Sequence, residues 1–337
     1  MTGAATRPIK VVHIMRAEAP VFSIERVFRD VSAHLPDDVQ VEVWQCPYPS
    51  RGILPRLRGA LAARQLAARA DVLHMTGDAH YLTVFLPRAR TLLTVHDLDF
   101  VHRASGIKRF ILWLVWLRIP TLCVARVTAI SEETRKDILK ALRMAPGRIT
   151  VVENPVSADF VAAGPAPSGP VLRVLQIGTK ANKNILRLAK ALSGLPVHLT
   201  IVGTPTPEQE AALQTADVAF EACSRLSDAE LIAAYGACDI LAFCSTSEGF
   251  GLPIIESQAV GRPVVTSDRS PMREVAGGAA LLANPEESSA MHRAFASLIE
   301  DEALRADLVA RGFENARRFH PTTIAARYAA LYRQLAG

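Results

Sequence analysis

The chain has 337 residues, half of them apolar, with 38 Lys and Arg against 33 Asp and Glu. That is room for about two domains, and no apolar run approaches the ~20 residues of a membrane-spanning helix. Five cysteines, at 46, 123, 223, 238 and 244, form no CxxC pair, which argues against a disulfide or zinc framework and for buried thiols in a reducing compartment. No long apolar signal region stands at the N-terminus, so the expected location is the cytoplasm.

The positive charge is uneven. Residues 1–165 carry 22 Lys and Arg against 15 Asp and Glu, and residues 166–337 carry 16 against 18. One basic stretch, with Arg51, Arg56, Arg58, Arg64 and Arg69, alternates arginines with leucines and alanines at near-helical spacing. A second, with Arg103, Lys108, Arg109, Arg118 and Arg126, surrounds Trp113 and Trp116. Cations beside apolar and Trp side chains suit an anionic membrane surface. The competing reading is a solvated helix face plus a core helix. No recognised nucleic-acid motif accompanies the charge, so nucleic acid is not an expected partner.

Strand-like and helix-like segments alternate in chain order, the pattern of parallel α/β layers. Residues 9–15, 39–44, 72–75, 91–96, 126–130 and 149–152 read as strands, with helices at 24–34, 57–70 and 132–142. Ser131 stands where it would cap the last of these. Residues 157–170, rich in Gly, Pro and Ala, read as a linker. A second alternation follows: strand 171–178, helix 184–193, strand 197–202, a turn at 204–207, helix 228–237, strand 240–244, helix 254–260 and strand 263–266. Amphipathic helices at 288–318 and 322–335 close the chain.

The most informative stretch is 245–256, Ser-Thr-Ser-Glu-Gly-Phe-Gly-Leu-Pro-Ile-Ile-Glu. A strand, a glycine-bearing loop and a helix opened by proline make an anion-holding architecture. Gly249 and Gly251 let backbone N–H groups approach a ligand. Glu248 and Glu256 flank the loop; a phosphate alone has no use for two acids, whereas a sugar nucleotide needs acceptors for its hydroxyls and donors for its diphosphate. The stretch 178–184, Gly-Thr-Lys-Ala-Asn-Lys-Asn, leads into a helix whose dipole opposes nearby lysines unless an anion binds. Lys180 and Lys183 are therefore candidate counter-ions for a diphosphate. Strand 91–96 ends in His96-Asp97. Asp97-Leu98-Asp99 superficially matches a metal-binding DxD, and His74, Asp78, His80 and His102 lie nearby, but the separations are irregular and no metal is expected. Residues 16–23 contain no glycine, which excludes a nicotinamide fingerprint, and no GxSxG elbow is present.

These residues resemble the retaining glycosyltransferases of the GT-B fold, specifically glycosyltransferase family four, the glycosyl transferases of group 1. The resemblance runs through Leu226-Ser227-Asp228, Tyr235, Cys238-Asp239, Ser245, Glu248-Gly249-Phe250-Gly251-Leu252-Pro253, Glu256, Gly261-Arg262-Pro263 and Glu274-Val275-Ala276-Gly277-Gly278. Its signature is the acid pair at 248 and 256; the first half adds Thr94-Val95-His96-Asp97 and residues 127–134. It implies two Rossmann-like, doubly wound α/β domains facing across a cleft. Residues 1–160 would bind the acceptor, 161–170 would be the linker, 171–318 would bind the nucleotide sugar, and 319–337 would return as a helix to the first domain. It further implies that Glu248, Lys183 and His96 serve catalysis. Gly178, Thr179, Lys180, Arg225, Leu226, Gly249, Phe250, Gly251, Leu252 and Glu256 would hold the donor, with Glu256 on the ribose and Arg225-Leu226 near the base. Ser23, Glu25 and Asp97 would lie on the acceptor side.

Two positions depart from the family pattern. Phe22-Ser23 replaces a Gly-Gly pair, and Thr179 stands where an arginine is common, with Lys180 as its substitute. Lysine lacks the bidentate fork, so a weaker diphosphate grip is expected. The implied activity is retaining, metal-independent transfer of a mannose- or glucose-type hexose from a nucleotide-diphosphate sugar to a hydroxyl of a saccharide or lipid-linked acceptor. Bacterial surface polysaccharide or glycolipid synthesis would be its setting, at the inner face of the membrane. No cofactor is called for. The alternatives are an epimerase or phosphorylase of the same fold, or a non-catalytic nucleotide-sugar-binding protein.

Overall fold

The computed structural model describes residues 7–17, 23–102, 104–164 and 169–337; Phe22, Arg103 and residues 165–168 lie outside them. The chain divides into two compact units, Met1–Pro155 with Pro321–Gly337, and Val156–His320.

The first unit is built on six strands: β1 (Ile9–Met15), β2 (Val39–Gln45), β3 (Val72–Met75), β4 (Thr91–Val95), β5 (Arg126–Ala129) and β6 (Ile149–Val151). They lie in the order β2-β1-β3-β4-β5-β6, every neighbouring pair parallel. Strands β3 and β4 are buried throughout, as apolar runs covered on both faces of a parallel sheet should be. Helix Glu132–Leu142 begins as expected: the Ser131 hydroxyl accepts from the Thr134 amide at 3.1 Å, and two glutamates occupy its first turn. Within the second basic stretch, Gly106–Leu112 passes through a π-helical turn, Trp113–Arg118, into Ile119–Leu122.

The chain returns to this unit as helix Pro321–Ala336, held by a buried polar chain. The Ser32 hydroxyl donates to the Phe28 carbonyl at 2.6 Å, so its oxygen accepts from His13 Nδ1 at 3.1 Å. His13 Nε2 must then accept the Tyr332 hydroxyl proton, at 2.8 Å. The same hydroxyl oxygen, also 2.8 Å from His74 Nδ1, receives that N–H. His74 Nε2 accepts from Thr94 at 2.7 Å, and Thr94 meets Thr128 at 2.7 Å. Both histidines have no exposed surface.

The second unit holds β7 (Leu172–Ile177), β8 (Val197–Val202), β9 (Ala219–Cys223), β10 (Ile240–Phe243), β11 (Val264–Ser267) and β12 (Leu281–Ala283). Their order is β12-β11-β10-β7-β8-β9, again all parallel. The winding direction reverses between β7 and β10, which is where doubly wound sheets bind ligands.

Several features differ from expectation. Strand β9 is an edge strand with three of its five residues exposed, and β12 has three residues, so neither carries the apolar run that marks a strand. The turn at 204–207 is the start of helix Pro207–Thr215. Thr206 caps it, accepting from the Gln209 amide at 3.3 Å while Gln209 Oε1 accepts from the Thr206 amide at 3.0 Å. The helix at 288–318 is two, Ser288–Glu300 and Glu302–Arg317, with Asp301 capping the second through the Leu304 amide at 2.8 Å. The first part of the linker is docked on the second unit: the Ala163 amide donates to the Val260 carbonyl at 3.0 Å, Arg262 donates to the Gly164 carbonyl at 3.0 Å, and Phe160 packs edge-on against Tyr235.

One glycine in this unit allows a sharp test. Gly277 has φ +60°, and a Cβ there would stand 2.0 Å from Asn315 Oδ1. Buried Asn315 donates to Gln258 at 2.7 Å and to the Val275 carbonyl at 2.8 Å. Gly277→Ala is expected to expel that amide and destabilise the unit by about 3 kcal/mol, read as a lower midpoint in thermal denaturation followed by circular dichroism.

Candidate functional site

The loops after β7 and β10, on either side of the reversal point, are stitched together by the backbone. The Thr246 amide donates to the Asn182 carbonyl at 2.8 Å. Asn184, buried and in the left-handed conformation at φ 62°, donates to the Cys244 and Pro285 carbonyls at 3.1 and 2.7 Å. Asn182 Nδ2 donates to the Ser247 carbonyl at 2.9 Å and to Glu248 Oε1 at 3.2 Å. These bonds fix Lys183 Nζ 2.6 Å from Glu248 Oε1 and 4.5 Å from the centroid of the Phe243 ring. Both side chains are about five-sixths buried, at 15% and 16% exposure. Gly178 has φ +85°, and a Cβ on it would meet the Lys183 stem at 3.1 Å, so the absence of a side chain there lets the lysine lie across the strand end.

Glu248 and Lys183, proposed separately from two motifs, are therefore one ion pair. Beside it, Asn182 Oδ1 and the Ser245 hydroxyl are buried without a hydrogen-bond partner among the described residues. Buried polar atoms of this kind call for an explanation, and here they stand at a loop junction suited to hydroxyl-bearing ligands. Among the other donor-side positions, Gly251 takes φ +115° at the N-terminus of helix Leu252–Val260, where a Cβ would stand 3.1 Å from Ile254. Gly249 is half-buried, and Phe250 is buried edge-on against Phe319, so only its backbone can serve a ligand. Glu256, one turn into that helix, is 3% exposed and accepts the Tyr235 hydroxyl at 2.7 Å. The Thr179 carbonyl accepts from Gln209 at 2.9 Å, while Lys180 is exposed. Arg225 is exposed at φ 60° after β9, with Leu226 half-buried beside it, at the far edge of the sheet from β10.

The first unit has its own reversal point, between β1 and β3, and the acceptor-side positions gather there. Arg16, at the end of β1, pairs with Glu25 at 3.1 Å and Asp78 at 2.7 Å. Glu25 Oε2 is buried without a hydrogen-bond partner among the described residues. Ser23 opens helix Ser23–Ala33. His96 Nε2 donates to the Thr76 carbonyl at 2.7 Å, and burial lowers its pKa, so the neutral ring keeps Nδ1 as an acceptor. Asp97 is exposed and accepts from the Asp99 amide at 3.0 Å. Among the described residues no three His, Cys, Asp or Glu side chains are grouped to hold a metal ion.

Sequence reasoning gave no role to Asn182, Asn184 or Arg16, and weighed Asp78 only beside a metal site. The two asparagines were legible as loop residues flanking Lys183, but their partners come from other parts of the chain. Arg16 and Asp78 follow strands that are not consecutive, and only the sheet order makes them neighbours.

Residues 173–315 match the family described as Glycosyl transferases group 1, and residues 7–160 match Glycosyltransferase Family 4. The two stretches take in most of the chain, and the chain belongs to this family of glycosyltransferases. Among curated relatives, it is 28% identical over 214 residues to the O-antigen chain mannosyltransferase B of Escherichia coli, across 57% of this chain and 56% of that protein. It is 30% identical over 158 residues to a phosphatidyl-myo-inositol mannosyltransferase of Mycolicibacterium smegmatis, across 44% of this chain and 40% of that protein. The matched stretch thus spans about half the length of these relatives. Among solved structures, Anabaena Alr3699/HepE in complex with UDP and glucose shares the fold with a TM-score of 0.77 at 18% identity, over 97% of this chain and 100% of that one. WaaG, a glycosyltransferase involved in lipopolysaccharide biosynthesis, gives 0.70 at 14% identity over 96% and 99%.

Proposed function

We propose that this protein transfers a hexose, of the mannose type, from a nucleotide-diphosphate sugar to a hydroxyl of a lipid-linked saccharide acceptor, with retention at the anomeric carbon and without a metal. The observation that carries this reading is the Lys183–Glu248 pair fixed at the reversal point of the second sheet. The bond between the anomeric carbon and the diphosphate oxygen breaks as the acceptor oxygen bonds to the same carbon from the same face. The acceptor proton passes to the departing phosphate oxygen. Negative charge grows on the diphosphate and positive charge on the sugar ring. A diphosphate arriving at Gly178 would share Lys183 with Glu248, and Lys180 would add a second cation. Glu248 would then face the sugar, accepting from its hydroxyls and favouring the oxocarbenium-like ring. Preorganised charge of this kind is usually the largest catalytic term. Mannose is the choice because the two relatives named above are called mannosyltransferases.

A membrane-borne acceptor is supported by helix Ile53–Arg64, which is turned inside out. It buries Gly59, Ala60 and Ala63 and exposes Ile53 (85%), Leu54, Leu57 and Leu61, with Arg51, Arg58 and Arg64 alongside. A helix that merely completed a core would bury its leucines. Among the described residues no helix is long and apolar enough to cross a membrane.

The test is a thermal-shift series with UDP, GDP, ADP and their hexose conjugates. The donor nucleotide is expected to raise the midpoint by mass action, and product made from it should keep the donor's anomeric configuration by NMR. No stabilisation by any nucleotide, or an inverted product, would overturn the assignment.

A further inference from the structure

The first unit contains a cavity of about 510 Å³ between the connection that follows β4, helix Gly106–Leu112 and helix Glu132–Leu142. That is the size of a small-molecule site. Its walls are apolar: Leu98 and Val101 on one side, and on the other Phe110 and Trp113, their ring centroids 5.8 Å apart. The Trp113 indole N–H donates to the Ala141 carbonyl at 3.0 Å, which satisfies its one polar atom and fixes the ring. The charges around it are lopsided. Arg109 and Lys140 line the cavity and are exposed, and among the described residues neither has an ion-pair partner. The one carboxylate, Asp137, lies 3.7 Å from His102. On the helix that carries Arg109, Ile107 and Ile111 stand four residues apart at 75% and 50% exposure and continue the apolar surface outward.

An apolar hollow beneath two unpaired cations is complementary to an amphiphile with a hydrocarbon chain and a phosphate. We propose that this cavity takes the first part of the hydrocarbon chain of a lipid-borne acceptor, with the lipid's phosphate on Arg109 and Lys140. The proposal rests on the glycosyl-transfer reading and names the class of acceptor carrier. Adsorption to a bilayer needs only a flat apolar face, which helix Ile53–Arg64 already offers; an open hollow of this volume suits part of a single chain instead. The connection that supplies Leu98 and Val101 also carries His96 and Asp97, and Leu98 lies within about 7 Å of chain from His96.

The experiment titrates the full chain with farnesyl phosphate below its aggregation concentration and follows tryptophan emission. Farnesol, inorganic phosphate, and vesicles of phosphatidylglycerol or phosphatidylcholine run in parallel. Saturable binding of farnesyl phosphate is expected, with farnesol and inorganic phosphate each at least tenfold weaker. Arg109→Glu and Lys140→Glu should each weaken binding at least tenfold. Phe110→Glu, at a side chain already half exposed, should abolish it while leaving the circular dichroism spectrum unchanged. Equal affinity in the wild type and all three variants, no saturation, or a response to phosphatidylglycerol vesicles alone would overturn the proposal. The nucleotide thermal shift separates the two claims. A shift without farnesyl phosphate binding removes the carrier site only, and binding without any nucleotide shift removes the glycosyl-transfer reading.

Discussion

Lys183→Ala is expected to lower the rate of hexose transfer by roughly 10²- to 10³-fold, the range for removing one preorganised group that meets developing charge. The loss should fall mainly on kcat, because the diphosphate carries its full extra charge only as the bond breaks. Glu248→Ala should give a loss of the same order. Glu248→Gln is more instructive: it keeps the shape and an acceptor oxygen but removes the charge that orders Lys183 at 2.6 Å. If Glu248 works by charge, Gln should be nearly as impaired as Ala. Lys183→Arg should also fail, since the lysine stem lies so close across Gly178 that a Cβ there would stand 3.1 Å from it, and a planar fork is wider. The paired residues should be strongly non-additive, so the double variant should lose little more than either single one. Steady-state kinetics and thermal midpoints check all of this. Near-normal turnover in both alanine variants, with the fold intact, contradicts the assignment.

The sequence made the second unit easier to read than the first, for physical reasons. Its candidate site residues fall within short loops at strand ends, where glycines, lysines and acids in a fixed order point to a ligand. Gly178, Lys183, Glu248 and Gly251 were legible on those grounds, and the strands before them are continuous apolar runs. What could not be read is how distant loops are tied. Asn184 reaches carbonyls 60 and 101 residues away, and nothing local to it says so. Glu256 shows another limit. Spacing marks it as half of an acid pair, but only the fold reveals that it is buried with the Tyr235 hydroxyl on one oxygen. In the first unit the missing glycines after β1 signalled only a departure. What the structure shows after β1 is Arg16, held by Glu25 and Asp78, a pairing that joins the ends of two strands distant in the sequence.

Acidification is expected to unfold the first unit selectively, beginning below pH 6.5. Burial pushes the His13 pKa down to about 3 and that of His74 well below its usual value, and among the described residues no carboxylate bonds to either ring. His74 also feels His13 and His96, which would repel any charge placed on it. The ordinary value for histidine is 6.5, so below that pH the unfolded chain takes up protons that the folded chain refuses. The stability these rings contribute is complete above pH 6.5 and is lost as the pH falls towards about 3. For His13 the cost should reach about 2 kcal/mol by pH 5, and His74 adds to it in the same direction. His80, pushed down to about 4 by burial, adds a third. All three tryptophans, 44, 113 and 116, belong to the first unit, so their emission reports on it alone. Urea midpoints from tryptophan emission should therefore fall steeply between pH 7.5 and pH 5. Tyr332→Phe should lower the midpoint even at pH 7.5, by about 1–3 kcal/mol, because it leaves His13 Nε2 and His74 Nδ1 without their shared hydroxyl. The same variant should make helix Pro321–Ala336 the first segment to exchange its amide hydrogens, since Tyr332 ties it to β1 and β3 together. Equal midpoints at the two pH values would mean that the buried rings accept protons without cost, and the polar chain would then have no part in holding the returning helix.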